Sequence, residues 1–365
     1  MAYTNIDDPS AHFQTALWTG TNAVNKVITN DGNSDLKPDL IWAKARTSTS
    51  YTDNHFIVDS SRGRTKGLVP NDTSAETTTT GNQSENDLLS FNTDGFTVGI
   101  VNSTAALNAS SASNVGWQWK ANGGTTSSLS NTGPDSVVQV NSDAKFVIGT
   151  YTGNGSNSNV KHGLGETPDA LIVKRRTGGT GAWAVWHKDL TTAYWLRLET
   201  ADAQASGVWD GVNPTSEKFF ITGGSSNVNI NGSDYVFYAW KSVQGFSQFG
   251  SYIGNGVAND GPFVYLGFKP AFIIIKSLAA TGAHYLWDVK RSNLTLVIMY
   301  QTLNAAEVDA EGSNTIMTID ALSNGFKVKN TGSNNGTNQS GTKYVYYAWA
   351  ENPLVTSTGI PTTAR

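Results

Sequence analysis

Cysteine is absent from the 365 residues. No disulfide can contribute to stability, which suits a chain assembled in a reducing cytosol. Charge is scarce too: 15% of residues are Asp, Glu, Lys or Arg, and the net charge is −4. No block of Lys and Arg occurs, which excludes sequence-independent nucleic-acid binding. No apolar run approaches the length of a membrane span, so no membrane insertion is expected. The opening Met1-Ala2-Tyr3-Thr4-Asn5 has neither the basic segment nor the apolar core of a secretory leader. These absences together describe a protein made in the cytosol and released by lysis.

Catalytic signatures are missing as well. There is no Gly-x-Ser-x-Gly elbow. The histidines, His12, His55, His162, His187 and His284, form no closely spaced metal-ligand pair. The run Asn30-Asp31-Gly32-Asn33-Ser34-Asp35 imitates the start of a calcium loop but lacks the closing Glu, so a solvated hairpin is the better reading. No cofactor and no catalytic residue is expected. A paired-carboxylate glycosidase needs no fixed spacing, and acids are sparse on the apolar segments.

What the chain has is Gly, 37 residues of it, with Asn, Ser and Thr in every third and 10% aromatics in short alternating runs. Small polar residues favour turns over helices, and Gly supplies positive φ. The pattern predicts many short strands joined by tight turns. One weak helical candidate covers Asn304 to Glu311, with Ala203 to Ser206 as a counterpart.

Three anchors recur in order. The first is an aromatic strand end and a Gly turn: Trp18-Thr19-Gly20, Tyr151-Thr152-Gly153 and Tyr252-Ile253-Gly254. The second is a Pro-led apolar run ending in Lys: Pro38 to Lys44, Pro168 to Lys174 and Pro270 to Lys276. The third is a closing aromatic strand: Val115 to Lys120, Tyr235 to Lys241 and Tyr344 to Trp349. The chain therefore reads as three diverged copies of one β-rich module. They span 1–120, 145–244 and 245–354, with a Gly/Ser/Thr-rich linker at 121–144 and a polar tail at 355–365. The end of the linker, Val137 to Val140, reads as the first strand of the second copy. The fold class expected is all-β: three antiparallel sandwiches of jelly-roll or lectin-like kind, set in a row.

Several segments resemble repeats in structural proteins of tailed bacteriophages, especially those infecting marine bacteria and cyanobacteria. They are Ile6-Asp7-Asp8-Pro9-Ser10, Tyr151-Thr152-Gly153-Asn154-Gly155, Gly163-Leu164-Gly165-Glu166-Thr167-Pro168-Asp169, Phe249-Gly250-Ser251-Tyr252 and Tyr347-Ala348-Trp349-Ala350-Glu351-Asn352-Pro353. The resemblance covers nearly the whole chain and rests on scaffold motifs. It implies a virion location and a non-enzymatic fibre, spike or surface decoration. Its partners would be other tail or capsid proteins and host-surface glycan. Whether the chain forms a homo-trimer is left open. The alternatives are a capsid cement protein without a receptor and, from another class, a glycan-degrading tail enzyme.

Candidate sites follow from what repeats and what does not. Trp18, Trp42, Trp117, Trp119, Trp186, Trp240, Trp287 and Trp349 lie on repeated strands and are expected in cores or module interfaces. Trp183, Trp195 and Trp209 are peculiar to the second copy, and with Tyr194 they are the candidates for ligand stacking. His55 and His284 occupy matched positions and read as structural. Asp59 with Arg62, and Asp288 with Arg291, read as ion pairs fixing a turn. The segment Ile6-Asp7-Asp8-Pro9 and the polar excursion from Val69 to Asp87 occur in the first copy alone. The former is expected to tether the chain to the particle.

Overall fold

The computed structural model describes residues 4–47, 54–78, 88–100, 107–279, 282–291, 300–302, 319–329 and 336–362. The first third contributes β1 (Phe13–Thr19), β2 (Lys26–Ile28), β3 (Leu40–Ala45), β4 (Phe56–Asp59), β5 (Lys66–Gly67), β6 (Thr77–Thr78), β7 (Ser90–Phe91), β8 (Phe96–Val98) and β9 (Ser113–Trp119). The middle adds β10 (Ser127–Leu129), β11 (Ser136–Asn141), β12 (Phe146–Thr152), β13 (Ser158–Lys161), β14 (Ala170–Arg175), β15 (Ala184–His187), β16 (Leu196–Arg197), β17 (Lys218–Ile221) and β18 (Asp234–Trp240). The last third adds β19 (Ser247–Ile253), β20 (Phe263–Tyr265), β21 (Phe268–Ser277), β22 (His284–Asp288), β23 (Tyr300–Thr302), β24 (Ile319–Leu322), β25 (Gly325–Val328) and β26 (Lys343–Pro353). All named pairings are antiparallel. The all-β expectation holds.

Three large sheets share one strand order: β1-β9-β3-β4, β12-β18-β14-β15 and β19-β26-β21-β22. Register fixes which residues correspond. Leu40, Ala170 and Phe272 stand opposite Trp119, Trp240 and Trp349. The same three residues stand opposite Asp59, His187 and Asp288 on their other side. Pro38, Pro168 and Pro270 therefore occupy equivalent places, two residues ahead. Pro38 and Pro168 precede their strands, whereas Pro270 lies within β21, where the register shifts around it. A residue without an N–H belongs at such a break in the ladder.

Each large sheet is buried on both faces. One face covers a small outer sheet of its own module: β2-β8-β7, β13-β17 and β20-β25-β24. Thus Ile41, Ala43, Phe56 and Val58 pack with Phe96 and Val98, and Leu171, Val173 and Phe237 pack with Val160, Phe219 and Ile221. The opposite faces of all three sheets enter one common core, which holds Trp42, Trp117 and Trp119 with Ile172, Tyr238 and Trp240 and with Ile274, Tyr347 and Trp349. Burial on two faces explains why Leu40-Ile41-Trp42-Ala43 and Ala170-Leu171-Ile172-Val173 are continuous apolar runs rather than alternating ones.

Trp119, Trp240 and Trp349 form a triangle, with ring centroids 6.3, 6.0 and 5.3 Å apart. Equivalent residues meeting at one point define a pseudo-threefold axis. The three modules close around it instead of standing in a row. The reason is energetic: a row would leave the second, equally apolar face of each large sheet in water.

Segment 121–144, expected as a linker, supplies β10 and β11, which extend the middle sheet beyond β12. The strand expected at its end is β11. Ala203 to Ser206 is not helical; Ala205 bridges to Trp195 in extended conformation. The 304–311 candidate and residues 79–87 of the polar excursion lie outside the described residues. Among the described residues the helical element is a short turn at Pro9–Ala11, capped by Asp8.

Candidate functional site: the seams between modules

Around the axis each module meets the next through the same two strands. On the fourth strand of each large sheet stands Asp59, His187 or Asp288; on the closing strand stands Trp117, Tyr238 or Tyr347. The Tyr238 hydroxyl donates to Asp59 Oδ2 at 2.7 Å, joining copies two and one. Trp117 Nε1 donates to Asp288 Oδ2 at 3.1 Å, joining copies one and three. Tyr347 packs edge-on to His187 at 5.1 Å, and His187 Nε2 donates to Tyr346 O at 3.3 Å, joining copies three and two. One kind of head-to-tail contact thus repeats around a closed ring, as in a cyclic trimer.

The acids of these seams are gripped by arginines of the same turn. Arg62 takes Asp59 through its backbone N–H at 2.9 Å and Nε at 2.5 Å, and Arg291 grips Asp288 in the same way. The expected turn-fixing pairs are present, and they also carry the seams. Glu76 extends the first pair: it accepts from Arg62 at 2.9 Å and from Arg176 of the second copy at 2.8 Å. Burial pushes the Glu76 carboxyl up, but hydrogen bonds from Arg176 and Arg62 outweigh it and hold the group below its ordinary value. Burial also disfavours the charge on Arg62, yet Asp59, Tyr238 and Glu76 raise its pKa further above normal.

The lysines that end the Pro-led runs are buried, and two of them reach into the preceding module. Lys174 Nζ donates to Gly181 O at 2.6 Å and to Thr73 O of copy one at 2.9 Å. Lys276 Nζ donates to Asp202 O at 2.9 Å and Ala201 O at 3.2 Å, both of copy two. Burial lowers both ammonium groups to about 8, partly offset by nearby carboxylates. Lys44 is buried at the equivalent place and donates to Ala45 O at 3.1 Å.

Grooves mark the outer ends of two seams. One, of about 290 Å³, lies between copies one and three and is lined by Phe13, Gln14, Thr15, Asp31, Val289 and Lys290 among others. The second, of about 480 Å³, lies between copies two and three, with Lys188, Gln244, Gln248, Phe249 and Tyr265 on its walls. Tyr265 is 58% exposed there, beside amides and hydroxyls. A third cavity, about 20 Å³, sits on the axis among Trp119, Trp240 and Trp349. It has room for about one water and no ligand.

A family model, Domain of unknown function (DUF7483), matches residues 8–353. The chain belongs to the DUF7483 family. The match runs through all three copies. No curated protein and no solved structure matches the chain.

Within this DUF7483 chain the aromatics expected at a ligand surface are mostly inside. Trp183, Trp195 and Trp209 are 0%, 5% and 1% exposed, and Tyr194 is half-buried. Trp183 stands at the strand position of His55 and His284 and donates to Val69 O at 3.0 Å and Asp72 O at 3.1 Å of copy one. Trp195 donates to Ser206 O and is covered by Arg197, 5.3 Å from its ring. Rings without a free face offer no stacking platform. Trp195 and Trp209 pack into copy two's own core, whereas Trp183 seals copy two against copy one. The tether candidates also pack on the chain itself. Ile6 and Pro9 are buried, Asp8 accepts from Ser10 and Ser34, and Asp7 accepts from Ser357 of the tail.

The seams themselves were not among the expected sites. Their signal in the sequence is the Lys repeated at the end of every Pro-led run. A charge kept at one strand position in three copies demands a partner, and for Lys174 and Lys276 that partner is the neighbouring module. Among the described residues no group of three or more His, Asp or Glu is gathered around a common point to hold a metal ion.

Proposed function

We propose that the protein is a non-enzymatic structural component of a bacteriophage virion, a compact knob on a fibre, spike or particle surface that contacts host glycan. The observation that carries this reading is the use made of the buried charges. Asp59, Arg62, Glu76, Lys174 and Lys276 hold modules to one another, which is the chemistry of an assembled, rigid part. The resemblance of the scaffold motifs to phage structural repeats supports the virion setting. The exposed Tyr265, flanked by Gln244 and Gln248 in the larger groove, is the surface best suited to stack on a sugar ring.

Immunogold labelling of purified particles with an antibody to this chain tests the location: labelled particles are expected, and unlabelled particles sink the reading. A glycan array tests the contact, with Tyr265→Ala expected to abolish any signal. The second reading is a capsid decoration protein without a receptor. The compact ring favours it, because modules around an axis add no length. Label scattered over the head, with an empty glycan array, would decide for it.

A further inference from the structure

The three seams are equivalent but not equally filled, and the difference identifies a surface. At the seam of copies one and two, β11 lies along the edge of β12, with Gln139 opposite Ile148 and Asn141 opposite Phe146. Gln139 is buried there. Its amide donates to Ser60 Oγ at 2.9 Å and Ser61 Oγ at 2.6 Å and accepts from Gly124 N–H at 2.8 Å. Register makes Phe13 and Thr15 of β1 the counterparts of Phe146 and Ile148. Val289 and Lys290, which follow Asp288, are the counterparts of Ser60 and Ser61. These four line the open groove of about 290 Å³. Among the described residues no strand occupies, in this seam, the place that β11 fills in the other.

We infer that the edge of β1 is a docking site for an extended, uncharged peptide strand of another polypeptide, seated as β11 is seated on β12. The backbone of β1 is aimed correctly. Lys120 N–H donates to His12 O and Gly20 N–H to Ala112 O, so even-numbered residues of β1 turn their polar groups to β9. The N–H and C=O of Phe13, Thr15, Leu17 and Thr19 therefore point to the open side. Thr15 is 4% exposed, lines the groove, and its Oγ1 has no hydrogen-bond partner. A buried hydroxyl left unpaired is costly unless a ligand completes it. The equivalent edge of β19 is already capped, since Val243 bridges Ser247 and Ser242 Oγ accepts from Phe249 N–H at 3.2 Å.

The chemistry of the occupant follows from the walls. Asp31 and Lys290 pair with each other at the groove, so neither calls for a charge on the strand. The residue opposite Thr15 takes the place of Gln139 and would be an amide or hydroxyl. The residue opposite Leu17 takes the place of Val137 and would be apolar. Main-chain pairing supplies affinity and these two positions supply selectivity. The inference does not depend on the virion reading, because it rests on geometry within the chain.

The probe is a fluorescent peptide with the uncharged sequence of residues 136–142 and blocked ends, titrated with the intact protein and read by anisotropy. Saturable binding is expected. Thr15→Pro should weaken it about tenfold or more, because it removes an N–H aimed at the open side and spares the β9 ladder. Leu17→Lys, a charge on the edge, should weaken it as well, and Ser251→Pro on β19 should not. Circular dichroism confirms that each variant is folded. No saturable binding, or binding unchanged in both Thr15→Pro and Leu17→Lys, overturns the proposal. So does concentration-dependent dimerisation that Thr15→Pro abolishes, because the occupant would then be a second copy.

Discussion

At the scale of the residue, the three closing tryptophans do the most to define the molecule. Trp119, Trp240 and Trp349 are 2%, 6% and 2% exposed. Each touches the other two, so truncating one opens a cavity bordered by all three modules. Trp349→Ala should cost about 3–5 kcal/mol in a urea titration; a loss under about 1 kcal/mol would mean that the axis is not packed as described. Burial of these rings was legible in the sequence, because they recur on matched strands. That they meet each other was not, since repetition shows equivalence and says nothing of contact. Trp183, Trp195 and Trp209 misled for the same reason: an aromatic that the other copies lack reads as surface, yet Trp195 and Trp209 fill copy two's own core and Trp183 faces copy one.

The histidines give a second residue-scale prediction. His187 accepts from Asp189 N–H through Nδ1 and donates to Tyr346 O through Nε2, so its seat fits the neutral ring. Burial lowers its pKa from 6.5 to about 4, and burial also lowers His12, His162 and His284. The unfolded chain then takes up protons between pH 6.5 and 4 that the folded chain refuses. Stability is full above pH 6.5 and falls as the pH drops through that window, by on the order of 3 kcal/mol for a shift like that of His187. Melting temperatures measured from pH 7 to 4 should decline, and His187→Gln should flatten part of the decline. A flat profile for the native chain would contradict neutral, buried histidines.

At the scale of the element, one strand type accounts for most of the architecture. A run such as Leu40-Ile41-Trp42-Ala43-Lys44 is apolar on both faces and ends in a charge, which identifies a central strand covered twice. The sandwich expectation used one of those faces and left the other unassigned, and this is where the row of modules went wrong. The excursion of copy one illustrates the consequence: Glu76, in a stretch that reads as a polar loop, bridges Arg62 and Arg176 across a seam. Glu76→Ala leaves Arg62 with Asp59 as its remaining acid, so a loss of about 1.5–3 kcal/mol is expected and not the full cost of a bare buried charge. Glu76→Gln should recover part of it. If both variants unfold at the same denaturant concentration as the parent chain, the bridge does not hold copies one and two together.

At the scale of the whole molecule, a single chain reproduces what three identical subunits would build. Its copies have diverged in what fills the seams: β11 closes one, an Asp31–Lys290 ion pair spans another, and His187 replaces the acid in the third. The family match from residue 8 to residue 353 agrees with a unit that needs all three copies to cover its sheets. Solution X-ray scattering tests this most directly. A closed ring of 365 residues should have a radius of gyration of about 21 Å and a single compact distance distribution. Three modules of about 13 Å each, strung end to end, would exceed about 30 Å with an elongated tail in the distribution; that result would contradict the ring.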